Sequence, residues 1–423
     1  MIYISNFLLL KEKLFQSLCV ILHFMVDLAV INICTNYMDY SKINSEDIES
    51  CTLREALSEY GKGILPIWRS VVYSRKYRLE SRRYIGCKAK LTDWIFGIVQ
   101  KETHDAHVFC DMFAGTGSVS NQAIHIYDSV IMNDFLYSNN ILYKAFFAEG
   151  ECDEQKLIGL LDAFNDIDPD KISDNYFSIN YGGKYFDQNS AKLIGHIRDV
   201  IEDIRCTLTD KEYSILIASL IYSMDKIANT LGHFEAYIKR EIKPKKFIMR
   251  MIDFQQVKGI KIFQEDANAL ARDVHADVVY LDPPYNSRQY SRFYHVYEVL
   301  VKWDKPELRG VARKPKEEHM SAYCRVRALE AFTDLVSHVD TRYIVVSYNN
   351  TYKSKSTSSQ NKIKLEQIQD VLSKCGETKV FTHSYNPFNA GKTEFADHKE
   401  YLFITEVDNE KRSRSFPSLL CGG

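Results

Sequence analysis

Residues 107–134 admit essentially one local architecture. Residues 107–112 form a short, mainly apolar run that breaks at Phe113-Ala114-Gly115-Thr116-Gly117. Residues 118–126 have helical spacing, and 129–132 form a second apolar run that stops at Asn133-Asp134. Short apolar runs bounded by turn residues read as strands buried on both faces. Strand, Gly-x-Gly turn, helix and strand in that order open a doubly wound, mostly parallel α/β sheet. The strand pattern resumes at 260–263, 277–281 and 341–347, and 379–383 with 400–405 read as a closing pair. Helical spacing marks 90–99, 293–303 and 365–374.

A chain of 423 residues is too long for one small core. Residues 140–258 carry helical patterns (157–164, 191–204, 213–227) and few strand signals, so they read as a mainly helical insert. The insert divides a catalytic domain into an N-terminal part, 38–139, and a C-terminal part, 259–408. Residues 353–362 are rich in Ser and Lys and predict a mobile loop, and 409–423 predict a disordered tail. Residues 14–34 are apolar enough to span a bilayer, but they contain Gln16, His23, Asp27 and Asn32. A central Asp costs about 2.5–3.5 kcal/mol on insertion, and no signal-peptide cleavage pattern follows. Residues 1–37 therefore read as a dispensable extension, with a native start at Met38 and no stable membrane association.

Charge narrows the partners. With 54 Lys and Arg against 56 Asp and Glu, the net charge of −2 excludes a basic nucleic-acid coat protein, so any DNA binding must come from local patches. The 10 Cys form no C-x-x-C, which argues against a structural metal site and a disulfide framework; no metal is expected, and reduced thiols suit a cytoplasmic enzyme.

The Gly115-Thr116-Gly117 turn lets backbone approach a ligand closely. It lacks the third glycine of a dinucleotide fingerprint, because Ser120 stands there. Asp134, 19 residues after Gly115, is spaced to accept from ribose hydroxyls. Asp111 at the strand end could meet a ligand amino group. Asp111, Phe113, Gly115, Gly117 and Asp134 are thus candidate cofactor contacts. The motif alone does not separate a dinucleotide from S-adenosylmethionine.

Val278-Val279-Tyr280-Leu281 is an apolar strand that runs into Asp282-Pro283-Pro284-Tyr285. Ligands of open α/β sheets bind at such carboxyl ends. The prolines stiffen the turn and remove two backbone donors, which leaves carbonyls free to accept. The Asp282 carboxylate and the Pro283 carbonyl can together accept from an exocyclic NH2, while Tyr285 offers a face for stacking a flipped base. Two aligned acceptors draw an aromatic amine towards sp3 geometry and stabilise the positive charge it gains on attacking a methyl group. Asp282, Pro283, Pro284 and Tyr285 are the candidate catalytic residues.

These segments, with the continuation Asn286-Ser287-Arg288-Gln289-Tyr290, resemble the D12 class of adenine-specific DNA methyltransferases from about Arg83 to Glu406. The resemblance implies a Rossmann-like methyltransferase sheet, S-adenosylmethionine as cofactor, double-stranded DNA as substrate and base flipping. It also implies a place in a restriction-modification system, where a cognate restriction endonuclease shares the target site. Residues 140–258 fall where the family has its target-recognition region. Tyr84 and Lys88, in Tyr84-Ile85-Gly86-Cys87-Lys88, match the amino-terminal cofactor motif; the chain departs from it with Tyr84 for the usual Trp and Cys87 for the usual Gly. Asp266 matches the acidic residue that binds the cofactor's adenine, and Asp282 also borders the cofactor.

Basic stretches at 69–90, 239–250 and 309–327 are candidates for phosphate contact. Within or beside them, Lys239, Arg240, Lys245, Lys246, Arg288 and Arg292 are the DNA-binding candidates. Cytosine N4 methylation would use the same chemistry, although its enzymes usually place Ser where Asp282 stands. Cytosine C5 methylation needs a Pro-Cys pair, and none occurs. A nicotinamide-dependent oxidoreductase would leave Asp-Pro-Pro-Tyr unexplained. A catalytically inactive DNA-binding module is the remaining alternative.

Overall fold

The sheet is built from parallel strands whose two faces are both covered. A computed structural model describes residues 76–239, 242–284, 286–350, 362–384 and 399–417, all within a unit that runs from Tyr73 to Gly423. The apolar extension, Met38 and most of 353–362 lie outside the described residues. The strands are β1 (Val108–Asp111), β2 (Ser129–Asn133), β3 (Ile260–Phe263), β4 (His275–Leu281), β5 (Asp340–Asn349), β6 (Gly376–Ser384) and β7 (Lys399–Val407). They form one sheet in the order β3-β2-β1-β4-β5-β7-β6. β1 to β5 pair in parallel, and β7 runs antiparallel to both β5 and β6. Side chains alternate with period two: Phe109, Val130, Val278, Tyr280 and Val345 join one core, while Cys110, Ile131, Val279, Ile344 and Val346 join the other.

Helices α1 (Thr92–Glu102), α2 (Ser118–Ala123), α3 (Tyr137–Phe146), α4 (Glu154–Asn165), α5 (Tyr176–Tyr181), α6 (Gln188–Asp203), α7 (Asp210–Ile227), α9 (Tyr290–Phe293) and α10 (His295–Lys302) contribute to the first core. On the other face lie α8 (Ala267–Leu270), α11 (Ala328–His338) and α12 (Leu365–Ser373). Among the described residues no helix is long and apolar enough to cross a membrane.

The insert is helical, yet it has no core of its own. α7 is buried along nearly its whole length, and its apolar residues share one cluster with Phe109, Val278 and Tyr280 of the sheet. The boundary at 139/140 falls inside α3, which the sequence reading does not assign. Its first turn buries polar residues ahead of the apolar Leu142, Tyr143, Ala145 and Phe146, which masks the periodicity: Asn139 accepts from the Arg82 guanidinium at 2.8 Å, and Asn140 donates to the Phe263 carbonyl at 3.2 Å. The single helix expected over 293–303 is two, interrupted at Tyr294. Residues 409–417 are not a disordered tail. Asp408 caps helix α13 (Asn409–Ser415), and Phe416 is buried against the second core.

α3 carries the chain away from Asp134, and the residue before it, Leu136, has no side chain to cap it. Glu298 on α10 does so instead, accepting from the backbone N–H groups of Tyr137 (3.1 Å) and Ser138 (2.9 Å) while itself buried. Glu298→Ala would strand two helix-terminal donors and should lower the unfolding free energy by about 1–3 kcal/mol. Urea titration should show a lower midpoint at unchanged slope. Glu298→Gln, which keeps an acceptor oxygen, should lose less than half as much. An alanine variant within about 0.5 kcal/mol of the parent protein would refute the capping role.

Candidate active site

The order of strands reverses between β1 and β4, and parallel pairing there sets Asp111 opposite Tyr280. Met112 N–H donates to the Tyr280 carbonyl at 3.1 Å, so the turns after the two strands emerge together. A cleft of about 980 Å³, including solvent at its mouth, opens at this switch point. Tyr84, Lys88, Asp111, Phe113, Gly115, Asp134, Asp266, Asp282, Pro283 and Pro284 all line it. Gly117 does not. Tyr285 and Arg240 lie outside the described residues.

The Gly-x-Gly turn is shaped by left-handed backbone at Gly115 (φ 54°) and Gly117 (φ 79°). A Cβ on Gly117 would meet Met132 and the Tyr143 ring at 3.3 Å, so this glycine serves packing below the cleft. Asp134 braces the turn. Its carboxylate accepts from Gly115 N–H at 3.0 Å and from Leu136 N–H at 2.9 Å. Asp266 caps α8 by accepting from Asn268 and Ala269 N–H groups. The Phe113 ring meets Tyr323 edge-on at 5.0 Å. Tyr84 stacks on Tyr294 at 4.5 Å and on Tyr290 at 5.5 Å.

Asp111 is 1% exposed. One of its oxygens accepts from Ser120 Oγ at 2.7 Å; the other, Oδ1, has no hydrogen-bond partner. Burial pushes its carboxyl up to about 7; the Ser120 hydrogen bond opposes this, and the neighbouring Asp282 and Asp134 add to it. Lys88 is also buried. Its Nζ lies 3.0 Å from Asp282 Oδ1 and 3.1 Å from Glu400 Oε1, and Ser347 Oγ donates to that same Glu400 oxygen at 2.7 Å. Burial alone would disfavour the ammonium, but the two carboxylates outweigh it and hold its pKa above the ordinary lysine value.

Three further features escape the sequence reading. Glu400 enters from β7. The Asn133 side chain donates to the Met112 and Glu265 carbonyls and accepts from Glu265 N–H, which knits the ends of β1, β2 and β3. Gln289 and the Ser321 backbone exchange reciprocal hydrogen bonds at 2.8 and 3.0 Å, which pins a cleft-lining segment beside the Asp-Pro-Pro turn. Asn133 and Gln289 fall inside segments the sequence singles out, but their tertiary partners carry no signal there, and Glu400 lies outside any motif.

The DNA-binding candidates divide. Arg82 and Lys88 in the first basic stretch are buried, and Arg83 pairs with Asp225, so these three do not serve phosphates. Arg288 pairs with Glu235 at 3.3 Å, and Arg292 donates to the Pro315 carbonyl at 2.8 Å. Lys239, Lys245 and Lys246 are exposed on a segment without regular structure.

Comparison with known proteins agrees with this geometry. The model of the D12 class N6 adenine-specific DNA methyltransferases matches residues 84–357. The chain is 30% identical to the type II methyltransferase M.NlaIII of Neisseria lactamica over 342 residues, covering 76% of this chain and 98% of that protein. It is 30% identical to the type II methyltransferase M.CviAII of Paramecium bursaria Chlorella virus 1, covering 77% of this chain and 98% of that protein. It is 31% identical to the type II methyltransferase M.FokI of Planomicrobium okeanokoites, covering 77% of this chain but 53% of that longer protein. A doubly wound sheet with a Gly-x-Gly turn and an Asp-Pro-Pro turn at its switch point, matched over most of its length, belongs to the D12 class of N6 adenine-specific DNA methyltransferases.

Proposed function

We propose that this cleft transfers a methyl group from S-adenosylmethionine to the N6 amine of an adenine extruded from duplex DNA, as the modification half of a restriction-modification system. The observation that carries the reading is the charge of the cleft. Asp111, Asp134, Glu265, Asp266 and Asp282 line it, and the one lysine that lines it among the described residues, Lys88, is held by Asp282 and Glu400. A dinucleotide would bring a pyrophosphate among these carboxylates, which repel it. S-adenosylmethionine carries positive charge on its sulfur and its amino group, and the orphaned Asp111 oxygen is an acceptor for the latter. Asp134 is placed to take ribose hydroxyls and Asp266 the adenine end, with Phe113 and Tyr84 as apolar walls.

When bound, S-adenosylmethionine supplies an electrophilic methyl group whose sulfur departs with the bonding pair. The chain's own residues prepare the amine. Asp282 and the Pro283 carbonyl accept its two hydrogens, turn its lone pair out of conjugation and stabilise the positive charge on nitrogen. The surplus proton leaves after transfer, so Asp282 need not act as a strong base. Tyr285 stacks on the flipped base. Asp rather than Ser at 282 favours adenine over cytosine. The insert, 140–258, with Lys239, Lys245 and Lys246 exposed at its end, is the target-recognition region. The type II names of the relatives support a paired endonuclease.

Asp282→Ala should lower kcat at least about a hundredfold, with S-adenosylmethionine affinity within about fivefold of the parent. Methyl incorporation into duplex DNA and equilibrium dialysis measure the two. Activity above a tenth of the parent would contradict the assignment. The Asp111 carboxyl, raised to about 7, must lose its proton before it can take an ammonium group. Cofactor affinity should therefore rise about tenfold between pH 6 and pH 8 and flatten in Asp111→Asn. A parent protein whose affinity is level across that range would show that the amino group binds elsewhere.

A further inference from the structure

Glu400 does not line the cleft, lies beyond the residues matched by the family model, and reaches the site through an ion pair with Lys88. It is nonetheless 3% exposed and carries a carboxylate in the same buried cluster as Asp282. We propose that Glu400 is a positioning residue that sets the net charge of the Asp282–Lys88–Glu400 cluster at −1, so that the Lys88 ammonium does not by itself neutralise Asp282 where it faces the target amine. The inference rests on Asp282 being the acceptor for that amine.

The argument is one of charge balance at short range. A lysine paired with Asp282 alone would make a neutral ion pair 3.0 Å across, and the ammonium would draw off the charge that the amine needs. With Glu400 at 3.1 Å, the ammonium divides its hydrogen bonds between two carboxylates. Ser347 donates to the Glu400 oxygen that faces Lys88, which fixes the direction of pull. The sheet makes the arrangement rigid: β5 lies between β4, which ends at the Asp-Pro-Pro turn, and β7, which carries Glu400, and Asn349 pairs with Glu400 in register. During transfer the N–C bond forms from the amine's lone pair, the S–C bond breaks towards sulfur, and nitrogen holds a positive charge until one proton leaves to solvent. A cluster of net −1 opposes that charge directly; a neutral cluster does so weakly.

Single-turnover methylation of duplex DNA with saturating S-adenosylmethionine provides the test. Glu400→Gln keeps size, the Ser347 hydrogen bond and an acceptor for Lys88, but removes the charge. Its rate should fall about tenfold or more, with cofactor and DNA dissociation constants within about threefold. Glu400→Asp keeps the charge at the expense of a methylene and should be the faster of the two variants. A packing role predicts the reverse order, since Gln is the closer isostere, and that order would overturn the inference, as would a Gln variant at the parent rate. Should the Gln variant not fold, Glu400→Asp alone decides: transfer within about threefold of the parent supports the charge, and a loss of about tenfold or more overturns it. Failure of the underlying reading is separately visible, because an active Asp282→Ala protein would remove Asp282 from the chemistry whatever Glu400 does.

Discussion

Parallel pairing of β1 with β4 sets Asp111 beside Tyr280 and brings two turns, distant in sequence, to the same level at one end of the sheet. Neither turn makes a cleft alone. The Gly-x-Gly turn after β1 offers a floor, and the Asp-Pro-Pro turn after β4 offers acceptors. The reversal of strand order between them leaves a gap that no crossover helix fills. Other segments then wall the gap: Asn133 draws in the Glu265 strand end, and Gln289 holds the Ser321 segment.

Carboxylates crowd this gap more densely than the rest of the protein compensates. Burying an acid without a partner is costly, and Asp111 registers that cost as a carboxyl raised to about 7. On the proposed reading the sulfonium and ammonium of S-adenosylmethionine, which outweigh its one carboxylate, relieve the repulsion on binding, so the electrostatic strain of the free cleft becomes selectivity for the bound form. The ammonium of Lys88 alone would cancel the charge at Asp282. Glu400, held by a hydrogen bond from Ser347, shares that ammonium, which on the proposed reading leaves the amine-facing turn negative.

Much of this was legible before any coordinates. A strand buried on both faces is a continuous apolar run, so 341–347 lies within β5; 260–263 matches the half-buried edge strand β3 residue for residue. The two turn motifs were legible because backbone chemistry restricts them to Gly and Pro. What stayed hidden depends on tertiary partners. α3 buries Ser138, Asn139 and Asn140 in its first turn, before its apolar residues begin. Glu400 precedes Tyr401-Leu402-Phe403-Ile404 and looks like any polar residue at the start of a strand. The resemblance sets Lys88 against the cofactor, and it does line the cleft; its pairing with Asp282 and Glu400 carries no signal in the sequence. Basic residues at 82, 83 and 88 look like a phosphate patch in one dimension and are packed or paired in three.

The most direct test is chemical. Unmodified duplex DNA incubated with the protein and methyl-labelled S-adenosylmethionine, then digested to nucleosides and separated, reports which atom receives the methyl group. The account predicts label in N6-methyldeoxyadenosine. Label in N4-methyldeoxycytidine, or no label in DNA of varied sequence, would contradict it.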